Sequence, residues 1–166
     1  MDDLTPQEKL QPCLLDRLTD DEPDKREESR TQRVISSKRY RKGVLRDLEW
    51  LFNASAHLPV EGTREFKLSD YPDAELSVIN YGTRQLAGLI APDTDALERE
   101  LIRAIKLFEP RIIGRSLKIK AALKNHMLVL ELSGELWANP LPEELYIRTS
   151  IDMETGQCAL GEAGHG

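Results

Sequence analysis

Between residues 37 and 53 the apolar positions Tyr40, Val44, Leu48, Leu51 and Phe52 recur every three or four residues. That is the period of one buried face on an α-helix, and it predicts a helix from Ser36 or Ser37 to Asn53. Lys38, Arg39, Lys42 and Arg46 occupy its other faces. A second stripe, Leu97, Leu101, Ile102, Ile105 and Phe108, predicts a helix that follows Pro92-Asp93-Thr94-Asp95, with Glu98, Arg99, Glu100, Arg103 and Lys106 on the wet side. Asp95 and Glu98 have the spacing of a capping box at its start. Beyond Pro110 the period drops to two. Leu117, Ile119 and Ala121 alternate with lysines, Leu128, Leu130 and Leu132 form a second set, and Leu145, Ile147, Thr149 and Ile151 a third. Lys124-Asn125-His126 reads as the first turn and 139–143, with two prolines, as the second connection; Glu154-Thr155-Gly156 turns into a short strand from Cys158 to Leu160. Between the helices, 63–69 reads as extended around Phe66 and Leu68. A short helix from about Ala74 to Asn80 ends where Gly82 supplies a left-handed cap. Helices first and strands second predict an α+β fold, with N-terminal helices packed on a C-terminal antiparallel β-meander.

The N-terminal part breaks this regularity. Leu10, Leu14, Leu15 and Leu18 cluster around Pro12, and the stretch from Asp20 to Arg33 is charged with almost nothing apolar. Such a stretch has too little apolar surface to order itself. Residues 1–35 are therefore expected to be a partly disordered extension carrying a short hydrophobic docking segment on a polar tether. Residues 36–160 form a single α+β domain and 161–166 a flexible tail in this reading.

Composition narrows the function. The net charge is −6 in 166 residues, which argues against non-specific nucleic-acid binding. The basic set Arg33, Lys38, Arg39, Arg41, Lys42 and Arg46 lacks interleaved aromatic residues, since Tyr40 lies on the buried stripe. Pairing with the acidic stretch from Asp20 to Glu28 is the simpler use for it. Cys13 and Cys158 alone make neither a disulfide framework nor a zinc site. Met1-Asp2-Asp3-Leu4 has neither the basic nor the apolar region of a signal peptide, and no span is apolar enough for a membrane, so a cytoplasmic location is expected.

No metal or cofactor motif is present. His57, His126 and His165 fall in a loop, a turn and the tail, and Gly82 and Gly88 are isolated rather than part of a phosphate loop. The most distinctive short motif is Glu109-Pro110-Arg111, where the second long helix must stop. A carboxylate there meets the negative end of the helix dipole and needs a compensating cation. Pro110 disfavours helical geometry at Glu109, and Arg111 lies within reach. This corner reads as a structural clamp, a docking point or a catalytic carboxylate. Asp73, Glu75 and Glu131 are candidate second acids for a glycosidase pair. Yet a neighbouring guanidinium favours the ionised carboxylate, whereas a general acid must hold its proton. Catalysis is thus the weakest of the three.

Four segments in order carry a family resemblance: Leu14-Leu15-Asp16-Arg17-Leu18, the run from Leu45 to Asn53, Ser77-Val78-Ile79-Asn80-Tyr81-Gly82, and Phe108-Glu109-Pro110-Arg111. Together they resemble the TssE subunits of bacterial type VI secretion baseplates, part of the phage-tail baseplate wedge family labelled "gene 25-like lysozyme". The chain departs from the family pattern at loop edges, with Ala54-Ser55-Ala56-His57 after the first helix and Thr83-Arg84-Gln85-Leu86 after Gly82. The resemblance implies a non-enzymatic structural role despite the lysozyme label, and a sheath-subunit-like fold. It implies binding to the wedge proteins TssF and TssG alongside TssK, and a template that starts assembly of the contractile sheath of TssB and TssC. Glu109, Pro110 and Arg111 become a partner-binding corner, with Leu14, Leu15, Arg17 and Leu18 as a second contact. Arg111→Ala is then expected to separate folding from assembly. The alternatives are a binding module similar to the anti-adaptor IraD, which binds a response regulator, and, less favoured, a peptidoglycan hydrolase.

Overall fold

The computed structural model describes residue 10 and residues 13–19, 35–56, 70–83, 93–125, 127–138 and 141–160. The piece expected at 63–69, the stretch from Asp20 to Arg33, the three histidines and the tail at 161–166 lie outside the described residues. The chain runs through helix α1 (Leu14–Leu18), the long helix α2 (Ser37–Asn53), a short helix α3 (Pro72–Glu75) with a 3-10 turn at Val78–Asn80, and helix α4 (Thr94–Phe108). Four strands follow, β1 (Lys118–Lys124), β2 (Met127–Leu136), β3 (Glu143–Asp152) and β4 (Cys158–Ala159), in the antiparallel order β1-β2-β3-β4. The fold is α+β.

The two stripes predicted from periodicity make the core. Tyr40, Val44, Leu48, Leu51 and Phe52 of α2 and Leu97, Leu101 and Ile105 of α4 are buried with the inward positions Ile119, Leu128, Leu130, Leu132, Leu145, Ile147 and Ile151 of the sheet. Register follows from the period of two, because a one-residue slip would turn this apolar set to solvent. Leu130 lies opposite Ala121 on one side and Thr149 on the other. Asn125, at φ 46°, starts the two-residue hairpin turn.

Three details differ from the sequence expectation. The helix expected from Ala74 to Asn80 is split. Leu76 closes α3, and Ser77 accepts a bond from the Ile79 N–H to start a separate 3-10 turn, so local hydroxyl capping outcompetes helix continuation. The cap of α4 is Asp93, whose carboxylate accepts from the N–H groups of Asp95 and Ala96. Asp95 therefore lies inside the helix, and Glu98 reaches strand β1 instead of closing a capping box. The leucines of the extension also divide. Leu10 is buried in the core, and its carbonyl accepts from the Ile35 N–H, while Leu14, Leu15 and Leu18 face outward.

Gly82 is required where it stands. At φ 123° it brings the chain against the end of α2, where Thr83 and Ala54–Ala56 exchange backbone bonds. A Cβ there would meet the Ala54 carbonyl oxygen at 2.4 Å. Gly82→Ala is expected to cost at least about 1–3 kcal/mol from backbone strain alone, read as a lower urea midpoint at unchanged m-value.

Candidate functional site

The corner after α4 is built around a buried acid. Glu109 is only 2% exposed, and its φ of −126° and ψ of 70° end the helix ahead of Pro110. The Arg111 side chain folds back onto it. Nε donates to Glu109 Oε1 at 2.6 Å, Nη2 donates to Oε2, and the Arg111 backbone N–H adds a bond of 3.3 Å to Oε1. Such a two-pronged charge-assisted pair is the strong form of the interaction. Backbone bonds fix the corner to the end of β2: the Trp137 N–H donates to the Arg111 carbonyl at 2.7 Å, and the Ile113 N–H to that of Glu135 at 2.8 Å.

Arg111 also reaches α2, where Nη2 donates to Asp47 Oδ2 at 2.5 Å. Asp47 Oδ1 accepts from Arg46 Nε at 2.8 Å, and Arg46 Nη1 donates to Asp16 Oδ1 of α1 at 2.5 Å. Five side chains thus form one alternating line, Glu109–Arg111–Asp47–Arg46–Asp16, that joins three parts of the chain distant in sequence. Burial works against the Arg111 charge, but the bonds and charge of Glu109 and then Asp47 outweigh it and raise its pKa above the ordinary value. Burial likewise opposes ionisation of Asp16, and the bonds from Cys13 and Arg46 more than offset it, so its carboxyl lies below its ordinary 3.8. The line passes close over Gly43, where a Cβ would sit a tight 3.2 Å from Asp16 Oδ2 and in ordinary contact, at 3.8 Å, with Arg111 Nη1.

Helix α1 has no buried residue of its own. It is held by the Asp16–Arg46 pair and capped by Cys13, whose thiol donates to Asp16 Oδ2 at 2.9 Å. Leu14 and Leu18 are 70% and 74% exposed, and Arg17 also faces outward. Beside this helix lies a cleft of about 780 Å³, whose lining includes Leu15, Trp50, Tyr81, Phe108, Pro110 and Trp137, with Glu109, Arg111 and Asp47 also on its wall. Trp50 and Trp137 are 51% and 58% exposed, and Arg46 stacks 5.1 Å from the Trp50 ring centroid. The structure therefore brings Glu109, Pro110, Arg111 and Leu15 around one cleft. Sequence reasoning missed both tryptophans as site residues. Trp50 lies off the buried stripe of its helix, and this was the available signal; Trp137 follows a strand end with no comparable pattern.

Both Glu109 oxygens accept hydrogen bonds from Arg111. Among the described residues there is no group of three or more acidic, histidine or cysteine side chains placed to hold a metal ion. No described helix is long and apolar enough to cross a membrane.

This geometry changes what Arg111→Ala reports. Removing the guanidinium leaves Glu109 buried without its cation, so the substitution is expected to destabilise the fold by about 3 kcal/mol, seen in urea unfolding, in addition to any effect on binding. Acid acts on α1 separately. Because the folded pKa of Asp16 is lowered, its tie to Arg46 is fully present above the free value of 3.8 and is lost as pH falls through the folded value. Asp16→Asn mimics that loss at neutral pH. It is expected to speed labelling of the half-buried Cys13 thiol several-fold, while Cys158, buried and with its thiol pKa pushed up by burial, stays slow.

No curated protein matches the chain. The family model described as baseplate wedge protein gp25 matches residues 38–141, well over half of the sequence, and covers α2, α4, the Glu109–Arg111 corner and the β1–β2 hairpin. A charged corner pinned between helix and sheet, in an α+β domain matched over that length, places this chain in the baseplate wedge protein gp25 family, as a baseplate-wedge-like structural protein.

Proposed function

We propose that this protein is the TssE-type subunit of a type VI secretion baseplate, working in the cytoplasm without enzymatic activity. In this reading it binds the wedge proteins TssF and TssG, alongside TssK, and helps the sheath proteins TssB and TssC begin to assemble. The observation that carries the reading is the cleft beside the corner. It is apolar, rimmed by two half-exposed tryptophans, and backed by an ion pair that leaves the corner rigid. Tryptophan and arginine are enriched where proteins bind one another. A preformed cleft also spares the partner the entropy of ordering it. An amphipathic helix of a wedge protein suits such a groove. The exposed leucines of α1, at one end of the cleft, extend the same surface, and tethering two contacts on one chain raises affinity through local concentration.

Glu109, Pro110 and Arg111 serve as the frame of the interface, with Pro110 exposed and Glu109 beneath it. Leu14, Leu15, Arg17 and Leu18 form its second part. Trp50 and Trp137 are the better probes, because they are exposed and their truncation leaves the buried pair in place. Co-expression with TssF and TssG is expected to yield a stable complex with the wild type. Trp137→Ala should weaken that complex by about 30-fold or more, the effect of a hot-spot residue, with circular dichroism unchanged. Equal capture by a folded Trp50→Ala/Trp137→Ala variant would place the interface elsewhere. Failure of the wild type to capture either protein would favour the anti-adaptor-like alternative.

A further inference from the structure

The wall of the cleft holds a donor that the free chain does not use. Tyr40 lines the cleft and is only 4% exposed, yet among the described residues its hydroxyl finds no hydrogen-bond partner. Buried polar atoms are almost always bonded, and an orphan costs stability until something bonds it. The charges that act on this hydroxyl include those of the corner. Burial raises its pKa above the ordinary 10.0, the Arg111 charge draws it down, and Glu109 and Glu143 push it up. The group is therefore protonated at neutral pH and free to donate.

Arg111 holds a second unused donor. Its backbone N–H, Nε and Nη2 are spent on Glu109 and Asp47, and Nη1 makes no hydrogen bond among the described residues. Nη1 lies 3.8 Å from where a Cβ on Gly43 would be. Tyr40 and Gly43 are three residues apart on α2 and so share a face. Both donors thus belong to one wall of the cleft.

The charge around them selects the acceptor. The line from Glu109 to Asp16 contains three carboxylates against two guanidiniums, and Glu143 adds a further negative charge near Tyr40. Another carboxylate would meet that excess, whereas an amide carbonyl accepts hydrogen bonds without adding charge. The hydroxyl is closed to bulk water, so the wall gives as the acceptor enters. The part of the wall with least to hold it is α1, which buries nothing of its own and brings Cys13 and Leu15 to the lining.

We propose that Tyr40 and Arg111 form an acceptor site in the cleft, which takes the side-chain carbonyl of an asparagine or glutamine on the wedge-protein helix seated there. This site rests on the wedge partner of the proposed function and names the chemistry by which that partner is recognised. Trp50 and Trp137 supply contact area, and the acceptor site fixes which residue of the helix points inward.

The test compares full-length wild type and Tyr40→Phe by urea unfolding and by capture of co-expressed TssF and TssG. The urea midpoint of Tyr40→Phe is expected to be no lower than that of the wild type, because the hydroxyl removed has no partner in the free chain. Capture is expected to weaken by about ten-fold, because the partner's buried carbonyl loses its donor. Each asparagine and glutamine of the seated helix is then replaced by leucine. One such replacement should weaken capture by the wild type about ten-fold and capture by Tyr40→Phe no further, the mark of a direct pair. A lower urea midpoint shows the hydroxyl already spent within the chain and overturns the site. Undiminished capture by Tyr40→Phe also overturns it, while the function still stands on the tryptophans. Coupling to none of the amides overturns the choice of a neutral acceptor. If the wild type captures neither protein, the site falls together with the proposed function.

Discussion

The Glu109–Arg111 pair organises the surface of this domain. A carboxylate at the end of a helix is opposed by the helix dipole, and one at 2% exposure has also lost its water. Only a close cation makes the position tenable, and Arg111 supplies it through two prongs of one guanidinium. Because Pro110 lies between them, the pair closes over a single stiff residue. The consequence is a corner with few alternative conformations, held to the end of β2 by backbone bonds on either side of Ile112.

From that corner the charges propagate outward rather than inward. Asp47 takes the remaining reach of Arg111, Arg46 takes Asp47, and Asp16 takes Arg46. Side-chain exposure rises from Glu109 at 3% through Arg111 and Asp47 to Arg46 at 32%, and falls again to 18% at Asp16. The arrangement lets α1, which buries nothing of its own, stand at the rim of the cleft with its leucines outward. A glycine in the middle of α2 costs about 1 kcal/mol of helix stability relative to alanine, and Gly43 is kept where Asp16 and Arg111 approach the helix.

The sheet carries the complementary asymmetry. Its apolar face packs against α2 and α4; at one edge an acidic side chain from α4 accepts from the Ala121 N–H, and at the other β4 pairs with Ser150 and Ile151 of β3.

Periodicity alone was enough to locate α2, α4 and the strands, because burial of one face imposes its period on the sequence wherever an element is long. It also marked the Glu109–Arg111 corner, since a proline between opposite charges at a helix end restricts the geometry locally. Short elements escaped it. The split at Leu76–Ser77 and the cap at Asp93 depend on which of several polar side chains reaches an N–H first, a competition of small energies that composition does not rank. The fate of Leu10, buried while Leu14 and Leu18 are exposed, was likewise hidden, because a cluster of leucines does not say which ones find the core. The partners of Asp47, Arg46 and Asp16, the cleft between Trp50 and Trp137, and the use of Glu98 on β1 came only with the tertiary structure. Each joins residues far apart in the chain, and sequence spacing carries no information about distances that folding alone brings to a few ångströms.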